Sequence, residues 1–403
     1  MLKGRLAVFA GVGLLVGIVI GAFGGVYADQ SFPGQVPVLS AHPAPKGDID
    51  RTQLDQALRL LQAHYYDRGL DYGNLSSGTL KGLVEGLDDP FSEYLDPTQY
   101  RSQENFYAGR YTGIGVYVDF RGEYPVITGV LPGTPAEKVG LRPDDVILKI
   151  GDRDARGLKS EQASSLIQGP EGTSVSLTIQ RGGGSFAVTV QRASIKVPSV
   201  RSLALEGGVF YIRIYSFGED TVDDFDAQLK AGVGSATGVV LDLRDNGGGF
   251  VDAAVSVISR FVDSGEAIEV RDRDGGVDRR NVSGDHYAAA KPVVVLVNDN
   301  TASASEMVSG SLQAHHRAKL VGDKTFGKGS IQLDYPLTNG GDLHITIQRW
   351  FLPDGRSVDK TGLPPDVPVS LASVDGMFDV TAPSHGHASD AQLNRALALL
   401  AGG

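Results

Sequence analysis

The spacing of hydrophobic and polar residues changes several times along the 403-residue chain, and it begins with a long apolar run. Leu6–Ala28 contains 23 residues without a charge, which at about 1.5 Å per residue can span a bilayer as a helix. Lys3 and Arg5 precede the run, so we expect the rest of the chain to lie outside the cytoplasm, in the cell envelope. Residues 1–28 are either a signal anchor in the membrane or a removable signal peptide, because Val26-Tyr27-Ala28 also fits a cleavage site. Glycines four residues apart within the run are compatible with helix pairing, and hence with a homo-oligomer.

Helical spacing begins after a linker at 29–47 that contains several prolines. Three leucines recur on one face of a predicted helix over residues 48–66, and a second helix is predicted over 77–86. Residues 48–108 are therefore predicted to form an N-terminal helical region.

Short strands and glycine turns replace the helical spacing between residues 109 and 193. The segment opens with YTGIGV at 111–116 and closes with a predicted helix over 160–167 and two strands over 174–180 and 185–191. This pattern predicts a small β-rich domain.

Buried-strand and helix patterns alternate over residues 194–380. Apolar β-branched runs at 209–214, 238–244 and 292–297 are each followed by polar or glycine-rich turns, as in α/β sheets. A tail with a terminal helix is expected over 381–403. The chain is thus predicted to be a multidomain protein of the α/β plus β class.

Composition excludes several classes of chemistry. The chain has no cysteine, so it can form no disulfide, no thiolate metal site and no thiol nucleophile. A net charge of −11 without a dense basic stripe argues against nucleic-acid binding.

Small residues follow the strand at 292–297 and precede a predicted helix that starts at Glu306. A hydroxyl in such a turn is exposed, and a helix start adds free backbone N–H groups. Downstream, Lys328 lies between Gly327 and Gly329. A lysine that burial keeps neutral can accept the proton of a serine nucleophile.

A second turn with free backbone groups follows the strand at 238–244. The sequence Asp245-Asn246-Gly247-Gly248-Gly249 would let backbone N–H groups face a ligand, although it could also be only a strand-to-helix turn. Asp242 and Arg244, just before it, are interpreted as a structural ion pair.

The two motifs TASASE and TFGKGSIQ resemble the paired signature of the carboxyl-terminal processing, or tail-specific, peptidases. Ser303 and Lys328 stand 25 residues apart (328 − 303), as in that family. The resemblance implies that Ser303 is the nucleophile and Lys328 its general base, with Gln332 orienting the lysine. It assigns supporting roles to Glu306 and Thr325.

The glycine turn resembles a further motif of the same family. The resemblance implies an oxyanion hole made by the N–H of Gly248 or Gly249 together with that of Ala304. It also implies a peptidase core with a crotonase-like βαβ spiral, a need for neither metal nor cofactor, and cleavage of proteins near their C-termini.

The segment 109–193 resembles a PDZ domain of the protease-associated type. Such domains bind an extended chain end as an added strand. The resemblance implies that Gly113-Ile114-Gly115-Val116 supplies N–H groups to a terminal carboxylate, and that the Ile114 and Val116 side chains present an apolar pocket. Protein substrates with accessible apolar C-termini are the expected partners.

Two other functions remain open. Many family members carry an aspartate eleven residues after the nucleophile, where this chain has Ala314, so the chain could be a catalytically inactive PDZ scaffold. The stretch Gly322–Lys328 also comes close to a phosphate-binding P-loop, although Gly329 stands where that motif requires Ser or Thr.

Overall fold

The structure is a computed structural model that describes residues 49–67, 69–119, 122–131, 133–158, 160–371, 376–381, 383 and 386–402. The expected signal segment and the linker lie outside these residues. Within the described ranges, no helix combines the length and apolar character needed to cross a membrane.

The chain divides into two compact units, residues 1–70 and 71–403. The described part of the first contains one helix, α1 (Arg51–His64), which confirms the predicted helix there. The carboxylate of Asp50 accepts the Thr52 N–H at 3.0 Å and caps its first turn.

The second unit opens with a short helical region. It contains α2 (Tyr72–Glu85), β1 (Glu93–Leu95) and α3 (Pro97–Tyr107). Helix α3 begins at a capping box in which the Asp96 carboxylate accepts the Gln99 N–H and the Gln99 side chain accepts the Asp96 N–H.

A β-rich domain follows, and its core is built from strands that alternate buried and exposed residues. Its elements are β2 (Arg110–Gly113), β3 (Val116–Asp119), β4 (Val126–Val130), α4 (Pro135–Lys138), β5 (Val146–Ile150), β6 (Arg153–Asp154), α5 (Ser160–Ile167), β7 (Ser174–Arg181), β8 (Gly184–Gln191) and β9 (Ala193–Lys196). The sheet order is β3-β4-β5-β7-β8, with β6 on β5, and β2 pairs with β9. Strand β3 therefore lies at an edge of its sheet.

The remaining elements form an α/β core with two sheets. They are β10 (Val200–Ala204), a 3-10 turn (Glu206–Gly208), β11 (Val209–Ile214), α6 (Thr221–Val233), β12 (Gly238–Asp242), α7 (Val251–Phe261), β13 (Glu266–Asp272), β14 (Val277–Asn281), β15 (Val293–Val297), α8 (Ala304–Ala314), β16 (Ala318–Gly322), β17 (Ser330–Pro336), β18 (Asp342–Phe351), β19 (Val367–Pro368) and α9 (Ala391–Ala401).

The first core sheet has the order β10-β11-β12-β15-β16-β19 and is parallel from β11 to β19. Strands β12 and β15 are buried at every position, which explains their unbroken apolar sequences, since helices cover parallel sheets on both faces. The second sheet has the order β1-β18-β13-β14, with β17 on β18.

The expected ion pair at the end of β12 is confirmed, and it extends to the C-terminal helix. The Arg244 guanidinium donates to Asp242 Oδ2 at 2.6 Å and lies 2.9 Å from Asp390 Oδ2, with all three side chains fully buried. Asp390 is also the cap of α9, because it accepts the Leu393 N–H. The arginine therefore ties the C-terminal helix to the strand that leads into the glycine turn.

Candidate active site

Ser303 lies in a strained turn between β15 and α8. Its backbone has φ 55° and ψ −119°, a conformation that non-glycine residues rarely adopt and that is typically retained at functional sites. The structure thus confirms the predicted strand, small-residue turn and helix.

Glu306 connects the serine turn to the lysine turn. Its buried carboxylate accepts the backbone N–H groups of Ser303 and Lys328, each at 2.9 Å on Oε2. The other oxygen, Oε1, accepts the Gly327 N–H at 2.8 Å and the Thr325 hydroxyl at 2.6 Å. Burial raises the pKa of Glu306 and these hydrogen bonds limit the rise. Four donors facing two oxygens fit the ionised carboxylate, which accepts only.

The glycines around Lys328 are required by close packing. A Cβ on Gly327 would lie 2.8 Å from the Gly362 nitrogen, and a Cβ on Gly329 would lie 2.6 Å from the Asp359 Cβ. The Trp350 indole N–H donates to the Lys328 carbonyl at 3.1 Å. The lysine backbone is therefore held in place on both sides.

The Lys328 amine lies in an environment that favours its neutral form. Burial lowers the pKa of Lys328, and the carboxylates of Glu93 and Asp89 limit the decrease. The nitrogen Nζ stands 5.2 Å from the centre of the Phe91 ring. Sequence reasoning missed Phe91 and Glu93, because nothing in their local pattern indicates a distant lysine.

Ser303 and Lys328 line one cavity of about 240 Å³. The glycine turn also lines it, as do Phe250 and Gln332. Both side chains border this cavity, but no hydrogen bond joins Ser303 Oγ to Lys328 Nζ among the residues described.

The glycine turn packs directly against the serine. A Cβ on Gly248 would lie 2.7 Å from Ser303 Cβ and 2.9 Å from the Ala304 nitrogen. The Gly248 N–H already donates to Asn246 Oδ1 at 2.9 Å. The N–H groups of Gly249 and Ala304 have no acceptor within the described part of the chain. Of the two candidate glycines, Gly249 is therefore the one with a free donor.

Gln332 lines the cavity, but no hydrogen bond joins its side chain to the Lys328 amine among the described residues. Its side-chain amide donates to Ser330 Oγ at 2.8 Å and Thr346 Oγ1 at 2.9 Å. The reason is the pairing of β17 with β18, which places Gln332 opposite Thr346.

Ala314 ends helix α8, eleven residues beyond Ser303. At about 1.5 Å per residue that position lies roughly 16 Å along the helix axis from the nucleophile. An acid there could not touch the serine, so its replacement by alanine does not remove a group from the cavity.

The expected peptide-binding turn lies between β2 and β3. Ile114 and Val116 line a cavity of about 270 Å³ that also involves Ile167 of α5. One edge of β3 pairs with β4. Gly115 has φ +90°, and a Cβ there would lie 2.4 Å from Thr134, so the turn requires glycine.

Tyr111 covers this turn, a contact that sequence reasoning missed. A Cβ on Gly113 would lie 2.5 Å from the Tyr111 ring, so the ring lies over that glycine. Burial raises the pKa of Tyr111 to about 12, and the backbone N–H groups of Gly115 and Val116 limit the rise. The same N–H groups are among those predicted to bind a terminal carboxylate.

The P-loop interpretation is wrong. A P-loop connects a strand to a helix whose N-terminus faces the phosphates. Here Lys328 lies between strands β16 and β17, and the N–H groups of Gly327 and Lys328 donate to Glu306 instead.

A serine hydroxyl at a strained turn after a buried parallel strand is a feature of serine-type hydrolases, and this is the class that the core defines. Comparison with known proteins narrows the class. Peptidase family S41 matches residues 208–369, and the PDZ domain family matches residues 126–181.

The carboxy-terminal processing protease CtpA of Bacillus subtilis (strain 168) is 33% identical over 343 residues, covering 84% of this chain and 73% of that protein. A CtpA-like serine protease of Staphylococcus aureus (strain N315) is 34% identical over 320 residues, covering 79% of this chain and 64% of its own length. The crystal structure of an S41 protease from Bacteroides fragilis shares the fold, with a TM-score of 0.54 and 20% identity over 90% of this chain and 99% of that one.

The chain therefore belongs to the carboxy-terminal processing serine proteases of peptidase family S41, and it carries the PDZ domain that its sequence predicted.

Proposed function

We propose that the chain is an endopeptidase that uses Ser303 as nucleophile and Lys328 as general base. One observation carries the proposal: a single oxygen of Glu306 accepts the backbone N–H of both residues at 2.9 Å. The two turns are thereby held in fixed relation at one cavity. Such fixed placement of reacting groups is a large source of catalytic rate.

The proposed reaction begins with proton transfer from Ser303 Oγ to the neutral Lys328 amine. The oxygen attacks the peptide carbonyl carbon and forms a tetrahedral intermediate, whose oxyanion accepts the N–H groups of Gly249 and Ala304. The C–N bond breaks as the Lys328 ammonium returns its proton to the leaving amine. Lys328 then takes a proton from a water molecule, whose oxygen attacks the acyl carbon; the bond from that carbon to Ser303 Oγ breaks as the lysine returns the proton to Oγ.

Substrate binding has to bring the two side chains together. The Lys328 amine stands over Phe91 and is not hydrogen-bonded to Ser303. Catalytic hydrogen bonds commonly tighten only when substrate is present. We expect the amine to turn from the phenyl ring towards the hydroxyl as the cavity fills.

The PDZ domain is proposed to capture the C-terminus of the substrate. The edge position of β3 and the apolar cavity beside it support this assignment, because an extended peptide can add to that edge as a strand. The substrates would be proteins with accessible apolar C-termini.

The proposed site of action is outside the cytoplasm, with attachment through residues 1–28. The apolar run behind Lys3 and Arg5 supports it. Fractionation of cells that produce the full chain, with protease protection of intact cells, tests it: recovery of the folded chain in the cytosolic fraction would contradict export.

The dyad is tested by comparing the parent with Ser303→Ala and Lys328→Ala on a denatured protein substrate. Ser264→Ala and Lys324→Ala, at exposed positions, are the matched controls and should cleave like the parent. Both dyad variants should lose cleavage while keeping the parent's circular dichroism spectrum. Equal cleavage by all variants would refute the dyad, and a parent that binds but never cleaves would identify a PDZ scaffold.

A further inference from the structure

Three titratable side chains on the β17–β18 hairpin meet at the wall of the catalytic cavity. Asp334 of β17 lies directly opposite His344 of β18, and Asp342 precedes His344 by two residues on the same strand. Residues two apart on a strand, and residues opposite one another on paired strands, share one face of a sheet. The sheet therefore directs all three side chains to one place.

The donor atoms of this Asp-Asp-His cluster are close enough to share a ligand. One oxygen of each carboxylate and one imidazole nitrogen lie within 4.8 Å of one another. His344 Nδ1 and Asp334 Oδ1 are 2.5 Å apart. Asp334 and His344 also line the cavity that contains Ser303 and Lys328, so a small ligand can reach the cluster from solvent.

The carboxylate of Asp342 is a second, independent observation that points to a cation at this cluster. Its side chain is fully buried, and neither carboxylate oxygen has a hydrogen-bond partner among the described residues. A buried carboxylate without a partner is costly, and a cation between the two aspartates would offset that cost.

We propose that Asp334, Asp342 and His344 bind a divalent first-row transition-metal ion such as Zn²⁺. One imidazole and two carboxylates are donors that suit zinc and its neighbours, at metal–ligand distances of about 2.0–2.2 Å. Calcium is disfavoured because it requires six to eight oxygen ligands. Three protein ligands leave a fourth tetrahedral position for water or a substrate group on the cavity side.

Binding exchanges protons for the metal ion. A metal ion on His344 Nδ1 requires that this nitrogen carry no proton, so a neutral imidazole would bind it as the Nε2–H tautomer, and both carboxylates would bind it in their ionised form. Protons compete with the metal ion for all three ligands, so affinity for the ion should increase with pH. The site is separate from the proposed reaction, which uses no metal.

The competing explanation is a proton shared between the two aspartates. In that case one proton bridges the two carboxylates and the cluster binds no ion. Only the first explanation predicts metal binding, so a binding measurement distinguishes the two. That measurement does not require an active protease.

The experiment is calorimetric titration of Zn²⁺ into the full chain, purified without a histidine tag and carrying Ser303→Ala to prevent self-cleavage. We expect one ion per chain. Asp342→Asn and His344→Ala should each weaken binding by at least about 10-fold. Asp223→Asn and His64→Ala, which change exposed residues of the same types, should leave it unchanged.

Thermal unfolding without metal separates loss of a ligand from loss of the fold. Asp342→Asn should unfold at the same or a higher temperature than its parent, because the amide carries no charge, and Zn²⁺ should raise the unfolding temperature of the parent alone. No Zn²⁺ binding by the parent would overturn the proposal. Binding that survives both Asp342→Asn and His344→Ala would place the ion elsewhere and overturn it equally.

Discussion

The carboxylate of Glu306 accepts the backbone N–H of Lys328 at 2.9 Å, and the same oxygen accepts the N–H of Ser303. The Glu306 carboxylate thus holds the backbones of the serine turn and the lysine turn in place. It is not hydrogen-bonded to the Lys328 amine or the Ser303 hydroxyl among the described residues. A glutamine at this position would keep one acceptor oxygen and replace the other with an NH₂ donor facing N–H groups.

Glu306→Gln should therefore lower kcat by about 100-fold or more, since small displacements of reacting groups have effects of this size. It should also lower the free energy of unfolding by about 1–3 kcal/mol, because buried donors lose their acceptor. Steady-state kinetics and denaturant unfolding measure the two effects. Glu104→Gln, at an exposed position, is the control; a Glu306→Gln enzyme with parental kcat would show that the carboxylate has no positioning role.

Gly248 and Gly247 offer a matched pair for testing the glycine turn. Gly248 has φ +103°, and a Cβ there would lie 2.7 Å from Ser303 Cβ, whereas a Cβ on Gly247 would meet nothing within 4 Å. Gly248→Ala should displace the serine and the neighbouring N–H donors and lower kcat by about 10²–10³-fold. Gly247→Ala should retain near-parental kcat, and equal activity of the two variants would contradict the proposed oxyanion site.

The sequence predicted the elements around the site because their patterns are local. The run Val293–Val297, its polar turn and the following helix can be read from neighbouring residues alone. The same holds for helix α5 and strands β7 and β8 of the PDZ domain.

Contacts made by the tertiary fold could not be predicted in the same way. The alternating pattern from Asp342 predicts a strand but does not reveal that Asp334 pairs opposite His344. Gln332 lies four residues beyond the lysine, yet strand pairing directs its amide to Thr346. Phe91 reaches Lys328 only because β1 joins the sheet through β18.

Tyr111 is predicted to weaken peptide capture by the PDZ domain. Its ring lies over Gly113 and lines the same cavity as Ile114 and Val116, so we expect its hydroxyl group to compete with a terminal carboxylate for the backbone N–H groups of the turn. Tyr111→Phe removes the competing oxygen and keeps the ring over Gly113.

We expect Tyr111→Phe to bind a peptide with an apolar C-terminus about 5-fold more tightly, which corresponds to one net hydrogen bond of about 1 kcal/mol. Isothermal titration calorimetry measures the dissociation constant, and the same peptide with a C-terminal amide should show no gain. Tyr124→Phe, a tyrosine outside this cavity, controls for loss of a phenol. Unchanged or weaker binding by Tyr111→Phe would contradict the competition.

The pH dependence of cleavage should report the protonation of Lys328. The neutral amine is the proposed base, and burial lowers its pKa, so kcat/KM should rise with pH along a limb that lies below the usual lysine value of about 10.4. Glu93 favours the charged amine, so Glu93→Gln should shift that limb to lower pH, whereas Glu104→Gln should not. A limb at or above the usual lysine pKa would contradict a buried base.

The free energy of unfolding should also depend on the protonation of Lys328. Between the lowered pKa of folded Lys328 and the usual value, the unfolded chain binds more protons, so the free energy of unfolding should increase with pH across that window. Lys328→Met removes the group and should stabilise the protein most at pH values below the folded pKa, with the gain fading as pH rises towards the usual lysine value. Denaturant unfolding of Lys328→Met, Lys324→Met and the Ser303→Ala parent at several pH values measures this difference. If the stabilisation by Lys328→Met increases with pH, or if Lys324→Met at an exposed position stabilises the protein equally, burial of the Lys328 amine is not the cause of the stabilisation.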